Sequence, residues 1–157
     1  MEHFNLQNKE LVTKGNIGEN IISSKLKEKG YVIYEADHEV SHPIDFIAIK
    51  DDVIRAIEIK TKPARKFYPD TGLDIKHWEK YLKVNEIIPS YIFFVDEILK
   101  KIYYNSIDEL KIKKGIYPLK ENNIIYFALN NMKILMNLDE EQVKQIKNYT
   151  KRNYLYE

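Results

Sequence analysis

The stretch of sequence that decides the fold reads HPIDFIAIKDDVIRAIEIK and spans residues 42–60. Two apolar runs, at 44–49 and 53–59, are separated by a short polar centre, which is typical of a β-hairpin. With Asp51 and Asp52 as the turn residues, the register of the whole pair is set. Both faces of these strands carry apolar side chains, so we expect a central hairpin in a sheet that is covered on both sides.

Three charged residues stand at the open end of this hairpin. In the register set by the turn, Asp45 lies opposite Glu58, and alternation along a strand puts Lys60 on the same face. The Cβ atoms of directly opposed residues are roughly 5 Å apart, so two carboxylates placed there repel each other. A divalent cation with oxygen ligands, helped by a nearby ammonium group, offsets that repulsion. The pattern predicts a metal site; the simpler alternative is that both acids form ion pairs with Lys60 or with other cations.

An aspartate followed by Glu58-Ile59-Lys60 on the next strand resembles the PD-(D/E)xK nuclease superfamily. In that superfamily a proline often directly precedes the aspartate, whereas here Pro43 stands two residues before Asp45. The resemblance implies that Asp45 and Glu58 hold Mg²⁺, or Mn²⁺ in its place, with the Ile59 main-chain carbonyl as a further ligand. It implies that Lys60 assists the attacking water; the alternative is that this ammonium only neutralises the acids.

A further acid is expected from the first helix, which the apolar period predicts over residues 11–29. Glu19 follows Gly15 and Gly18, two small residues that allow a helix to approach the sheet closely. The resemblance implies that Glu19 adds a metal ligand, directly or through water. The residues alone leave open a glutamate that is favoured by the helix dipole near the start of the helix.

A basic loop, predicted over residues 60–71, follows the three charged residues directly. Such a loop can neutralise a phosphate backbone, and Phe67 or Tyr68 is available for stacking on bases. The predicted nucleic-acid contacts in this loop are Lys62, Arg65 and Lys66. An ordinary solvated loop is the alternative.

Two more predicted nucleic-acid contacts, His77 and Tyr81, lie one turn apart on a helix predicted over residues 73–84. Exonuclease branches of the superfamily carry Gln-x-x-x-Tyr at this place, and here a histidine replaces the glutamine. The resemblance therefore implies a place for His77 near the scissile phosphate. A histidine packed in the core is the alternative.

The rest of the chain predicts strands and helices that complete an α/β fold. The further predicted elements are strands at 31–34, 91–95 and 101–104, a short helix that opens with Ser106 and Glu109 as a capping box, a second hairpin of 124–129 with 132–135, and a last helix from Asp139 to about Asn153. This order matches the α-β-β-β-α-β core of the restriction-endonuclease-like fold, with a mixed central sheet flanked by helices on both faces. We expect one domain over residues 1–157.

Composition limits the function classes. With a net charge of +1, the protein is expected to bind nucleic acid only through a local patch. No apolar run approaches the roughly 20 residues that a membrane span needs, and the N-terminus lacks the pattern of a signal peptide. The chain has no cysteine, which excludes disulfides and thiolate metal sites. We therefore expect a cytoplasmic protein with no membrane partner.

Together these features predict a metal-dependent nuclease, with DNA as the expected nucleic acid. The main alternative is a non-catalytic nucleic-acid-binding or regulatory protein that retains the nuclease fold, and a purely structural interaction domain is a weaker third. The choice between endonuclease and exonuclease stays open. So does a homodimer or a partner subunit, although two cuts in a duplex usually require two active sites.

Overall fold

A computed structural model of the chain describes residues 2–37, 42–113 and 123–150, with side chains described over 15–37, 42–112 and 123–148. In chain order the elements are helix α1 (Glu2–Glu28), strands β1 (Val32–Glu35), β2 (Phe46–Lys50), β3 (Val53–Thr61) and β4 (Asp70–Asp74), helix α2 (Ile75–Asn85), strands β5 (Ser90–Asp96) and β6 (Lys101–Ser106), helix α3 (Ile107–Lys113), strand β7 (Ile124–Ala128), a 3-10 helix (Leu129–Asn131), strand β8 (Lys133–Asn137) and helix α4 (Glu140–Thr150).

Six strands form the central sheet, in the order β1-β2-β3-β5-β6-β8. Strands β3 and β5 run parallel, and every other neighbouring pair in this sheet is antiparallel. The connection from β3 to β5 contains β4 and α2, as a crossover between parallel strands requires. The predicted mixed sheet and the α-β-β-β-α-β order of its core are confirmed, whereas β4, between β3 and α2, was not predicted.

The β2–β3 hairpin has the predicted register. Lys50 pairs with Val53 and Phe46 pairs with Ile57, so the ladder extends to within one residue of Asp45. Asp51 and Asp52 both have left-handed backbone conformations, with φ of 52° and 58°. Two successive left-handed residues form the type I′ turn that matches the twist of paired strands, and aspartate tolerates this conformation better than most side chains.

Both faces of the central sheet are covered, as the two-sided apolar pattern predicted. One face packs against α1 and α4, in a core cluster that includes Ile22, Phe93 and Ile146. The other face packs against α2, α3 and β7, in a cluster that includes Trp78 and Phe127. Each fully buried apolar side chain contributes on the order of 2 kcal/mol, so the two clusters fix the helices on their respective faces.

Helix α1 is longer than the predicted 11–29, because it begins at Glu2. It ends at Glu28 and is capped as predicted by Gly30, whose φ of 88° and whose N–H bond to the Lys27 carbonyl at 2.9 Å belong to a Schellman cap. Over the described parts of the chain, no helix combines the length and the apolar composition that crossing a membrane requires.

Gly18 sets the distance between α1 and the central sheet. A Cβ atom at this position would overlap the hydroxyl of Thr61 at the end of β3 and would lie 3.4 Å from a methyl group of Val95. The predicted close approach of the helix is confirmed at Gly18. It brings the middle of α1 next to the ends of β3 and β5.

Two predictions for the chain beyond the central hairpin are wrong. Strands β7 and β8 do not form a hairpin with each other: β7 pairs with β4 in a separate two-stranded sheet, whereas β8 pairs with β6 at the edge of the central sheet. The loop predicted over 60–71 is also shorter, because β3 extends to Thr61 and β4 begins at Asp70. Gly72 in β4 lies against the ring of Tyr126 in β7. The sequence of β4 predicts a loop, and its pairing with β7 makes it a strand.

The helix caps follow the predicted side chains. The Ser106 hydroxyl accepts from the Glu109 amide at 3.2 Å, and Asp139 and Gln142 cap each other's amides at 2.8 and 2.9 Å. Helix α2 begins at Ile75 rather than at residue 73. The predicted end of the last helix at about Asn153 lies outside the described residues.

Candidate active site

Glu58 and Lys60, two of the three charged residues predicted for the site, lie on the face of the sheet that is turned toward α2. On β3, Ile57 and Ile59 belong to the cluster under α1, so Glu58 and Lys60 point the opposite way. Glu58 is buried, with 7% of its surface exposed, and Lys60 is half-buried. The predicted shared face is therefore observed for Glu58 and Lys60.

Asp45 is fixed by hydrogen bonds to the end of β3. Its amide donates to the Ile57 carbonyl at 2.9 Å, and its carboxylate Oδ2 accepts from the Ile59 amide at 2.7 Å. A main-chain donor to an ionised acceptor makes a strong bond with a defined direction. These bonds fix Asp45 at the end of β3, close enough for its charge to raise the pKa of Glu58; a place directly opposite Glu58 stays a prediction.

Glu58 is the centre of a buried polar network. Its Oε1 lies 2.5 Å from the Lys60 ammonium and accepts from the Tyr81 hydroxyl at 2.8 Å. Burial raises the pKa of Glu58 to about 7; the Lys60 charge opposes the increase and the Asp45 charge adds to it. At neutral pH this carboxyl group is thus poised between its protonated and its charged form.

Tyr81 lies inside this network and not on the surface. Only 4% of its area is exposed, and burial together with the Glu58 charge raises the pKa of the phenol, which stays a hydrogen-bond donor. The Lys60 ammonium lies 5.8 Å from the centre of the Tyr81 ring. A direct nucleic-acid contact by Tyr81 stays a prediction, whereas its bond to Glu58 makes it a positioning residue for that acid.

His77 is exposed, one turn before Tyr81 on α2, and the two ring centres are 6.4 Å apart. The alternative of a histidine packed in the core does not apply, because Trp78 takes the core position on this helix. A contact between His77 and nucleic acid stays a prediction.

Glu19 lies half-buried in the middle of α1, next to the close contact at Gly18. The alternative that placed it near the helix start is wrong, because α1 begins at Glu2 and the dipole effect fades after the first turn. Among the residues that the structure describes, no group of three or more His, Cys, Asp or Glu side chains is arranged to hold a metal ion. Glu19 as an additional ligand therefore stays a prediction.

The donors that the structure brings together are of the right type for a hard divalent cation. Asp45 and Glu58 offer carboxylate oxygens on one face, which are the ligands that Mg²⁺ uses in proteins, commonly with one or two carboxylates and several waters. The Ile59 amide donates to Asp45, and the role of its carbonyl stays a prediction. The residues present fit a Mg²⁺ or Mn²⁺ ion.

Two of the three predicted loop cations hold the loop itself. The Lys62 ammonium donates to the Gly72 carbonyl at 2.5 Å, and burial, with the Lys60 charge, lowers the pKa of Lys62. Arg65 forms two hydrogen bonds of 2.6 Å to the Asp70 carboxylate. Both side chains thus connect the segment after β3 to β4.

The exposed part of the loop is its tip. Lys66 is exposed and lies 5.3 Å from the ring of Phe67, which is 81% exposed. Arg65, in contrast, packs against the rings of Tyr68 and Tyr126 at 4.2 and 3.7 Å. Lys66 and Phe67 are the residues of this loop that are best placed to reach a ligand.

Asp96, at the end of β5, is a residue of this region that sequence reasoning missed. It is buried; its Oδ2 accepts from the Ala64 amide at 2.7 Å, and its Oδ1 accepts from the amides of Ile98 and Leu99 at 2.9 and 2.8 Å. Asp96 therefore ties the segment after Lys60 to the β5–β6 turn. An aspartate directly before a turn was the available signal, because its side chain often bonds the following amides.

The fold is shared with a nuclease of known structure. A Holliday junction resolvase from Archaeoglobus fulgidus superimposes with a TM-score of 0.55 at 13% sequence identity, over 75% of this chain and 86% of that chain. The predicted restriction-endonuclease-like fold, and with it the fold of the PD-(D/E)xK superfamily, is confirmed.

No family model matches the chain. Its relatives by sequence are named UPF0102 proteins, and this name states no activity. A UPF0102 protein from Alkaliphilus metalliredigens is 28% identical over 106 residues, which cover 57% of this chain and 91% of that protein. A UPF0102 protein from Fervidobacterium nodosum is 35% identical over 109 residues, which cover 68% of this chain and 77% of that protein. The chain belongs to the UPF0102 family.

Proposed function

We propose that this protein is a nuclease that depends on a divalent metal ion held by Asp45 and Glu58. The observation that carries the proposal is the buried Glu58, which lies beside Asp45 and Lys60 on a strand whose other inward side chains are apolar. Burying a carboxyl group is costly, and strongly perturbed acids are concentrated at functional sites. The fold shared with a Holliday junction resolvase supports the same function.

The chain's own residues have distinct roles in this proposal. Asp45, held by the Ile59 amide, and Glu58, held by Tyr81, present their carboxylates to the cation. Glu19 and the Ile59 carbonyl are proposed as further ligands. When bound, a divalent cation supplies charge neutralisation at the phosphate and a water of lowered pKa.

Lys60 is proposed to act on the attacking water and the phosphate. Its ammonium lies next to Glu58 and is half-buried, so its N–H groups can hold a water molecule and donate to an equatorial phosphate oxygen. The exposed Lys66, Phe67 and His77 are proposed to contact the nucleic acid. DNA is the proposed substrate, and a four-way junction belongs among the tested forms because the structural neighbour is a junction resolvase.

The experiment compares wild type with Asp45→Asn/Glu58→Gln, which keeps the shapes and removes the charges. We expect Mn²⁺ or Mg²⁺ binding in calorimetry for wild type alone, and metal-dependent cleavage of linear, nicked, single-stranded or junction DNA that falls at least about 1,000-fold in the variant. The matched control Asp52→Asn/Glu140→Gln removes two exposed acids and keeps both properties. Equal metal binding by wild type and the site variant would contradict the proposal.

The second candidate is a nucleic-acid-binding protein without catalysis. The observation in its favour is that Oε1 of Glu58 already has two partners, Lys60 and Tyr81, without a metal ion. Lys60→Ala separates the two candidates: a nuclease loses cleavage and keeps DNA affinity. Binding without cleavage by wild type, on every DNA form and with either metal, would support the second candidate.

A further inference from the structure

A second concave surface lies on the face of the central sheet opposite to the two acids. It encloses about 450 Å³ beside the end of α1, and strands β2, β3, β5, β6 and β8 contribute to it. Its floor includes Ala48, Ile57 and Phe93, which belong to the core cluster under α1. Since Glu58 points toward α2, this surface is separate from the candidate active site.

The surface, called here the basic groove, is defined by four cationic side chains and the aromatic rings between them. The defining residues are Lys29, Tyr31, Lys50, Arg55, Tyr104 and Lys133. No carboxylate is among the described residues that line it. In a protein whose net charge is only +1, four cations without a lining acid make a local positive potential.

Two cations of the basic groove, Lys50 and Arg55, lie near the same aromatic ring. The Lys50 ammonium donates to the Lys29 carbonyl at 2.7 Å and lies 5.4 Å from the centre of the Tyr31 ring. The Arg55 guanidinium lies 5.6 Å from the same ring and donates to the Val53 carbonyl at 3.2 Å. Two like charges that converge on one ring repel each other, and an anion between them relieves that repulsion.

The walls of the basic groove add flat apolar surfaces to the charges. The half-buried rings of Tyr104 and Tyr91 line the groove, and Tyr104 stacks on the buried Phe93 ring, with centres 5.0 Å apart and planes 10° apart. Cations that neutralise phosphates beside aromatic rings that stack on bases are the combination that binds single-stranded nucleic acid. The volume lies at the lower end of the range for small-ligand sites, about 300–1,000 Å³, and suits one nucleotide.

We propose that the basic groove binds a nucleoside phosphate. Its phosphate contacts Lys50 and Arg55, and its base lies against the aromatic wall. The ligand is a free nucleotide or one unit of a single strand. This site needs neither the metal ion nor the two acids of the proposed nuclease.

Binding is measured in EDTA, so that no cleavage occurs, with three probes: dAMP, inorganic phosphate and a fluorescent single-stranded 12-mer. We expect Lys50→Ala/Arg55→Ala to weaken dAMP or 12-mer binding about 10- to 100-fold. The control Lys27→Ala/Lys144→Ala removes the same charge from exposed helix positions outside the groove and changes affinity less than about twofold. Thermal melting of each variant confirms that it is folded.

The outcomes separate the sources of the ligand and can overturn the proposal. If the 12-mer binds more than tenfold tighter than dAMP, the ligand of the groove is a single-stranded nucleic acid. If the two affinities are equal, the ligand is a free nucleotide. Inorganic phosphate that competes as well as dAMP, equal weakening by both double variants, or no binding of dAMP and 12-mer to wild type overturns the proposal. Asp45→Asn/Glu58→Gln retains binding in EDTA, so failure of the proposed nuclease activity is distinguishable from failure of this site.

Discussion

The two faces of the β2–β3 hairpin carry charge in opposite ways. Toward α2, Glu58 is buried, and its carboxyl group pairs with Lys60 and accepts a hydrogen bond from Tyr81. Toward α1, Lys50 and Arg55 border an open groove that no described acid lines. Because a strand alternates its side chains, one hairpin can carry a costly buried site and a solvated basic surface back to back.

This difference predicts that, of the two faces, only the one with the buried Glu58 lowers the free energy of unfolding. The pKa of Glu58 is raised in the folded protein, from 4.5 to about 7, so folded protein binds this proton more tightly than unfolded protein. Stability at this residue is therefore present at low pH and is lost as the pH rises from about 4.5 to about 7. In EDTA, Glu58→Gln removes that loss and gains about 1–3 kcal/mol over wild type at pH 8, relative to pH 4.5.

Urea denaturation of both proteins at pH 4.5 and pH 8 measures the effect. Glu140→Gln is the matched control, because this glutamate is exposed on α4 and its removal leaves the pH dependence of wild type unchanged. If Glu58→Gln unfolds with the same pH dependence as wild type, burial does not raise the pKa of Glu58. The two faces of the hairpin then do not differ in their effect on stability.

Tyr81→Phe sharpens the comparison within the acid face. The variant removes the O–H bond that favours the charged form of Glu58, so the pKa of Glu58 rises further and metal binding needs a higher pH. We expect a loss of about 1 kcal/mol in unfolding free energy at pH 8 and a roughly tenfold weaker Mn²⁺ affinity at pH 7. Calorimetry across pH 6–9 measures the shift; Tyr103→Phe, a buried tyrosine on β6, leaves the pH profile unchanged.

The hairpin could be predicted because its determinants are local. The turn residues Asp51 and Asp52 fix the register, and alternation then assigns Asp45, Glu58 and Lys60 to one face. The same logic placed the caps at Ser106 and Asp139. These features require only neighbouring residues and the geometry of a strand or a helix end.

The features that were missed depend on partners far along the chain. Strand β4 contains Gly72, so its sequence predicts a loop, yet β7 pairs with it. This pairing also places the main-chain and side-chain groups to which the loop cations bond. Lys62 bonds to Gly72 and Arg65 bonds to Asp70, so both cations are engaged by the strand that the sequence did not reveal. The bond from Tyr81 to Glu58 likewise requires the crossover that carries α2 over the sheet.

The smallest expected effect tests the basic face. Lys50→Ala/Arg55→Ala removes two cation–ring contacts and two hydrogen bonds to main-chain carbonyls, but it also removes the repulsion between the two charges. We expect these terms to cancel, with a change of about 0.5 kcal/mol or less in the free energy of unfolding. Urea denaturation at low and high salt measures it, because screening weakens the repulsion in wild type. A loss of more than about 2 kcal/mol would show that these cations hold the fold, and that the two faces of the hairpin differ in sign of charge but not in role.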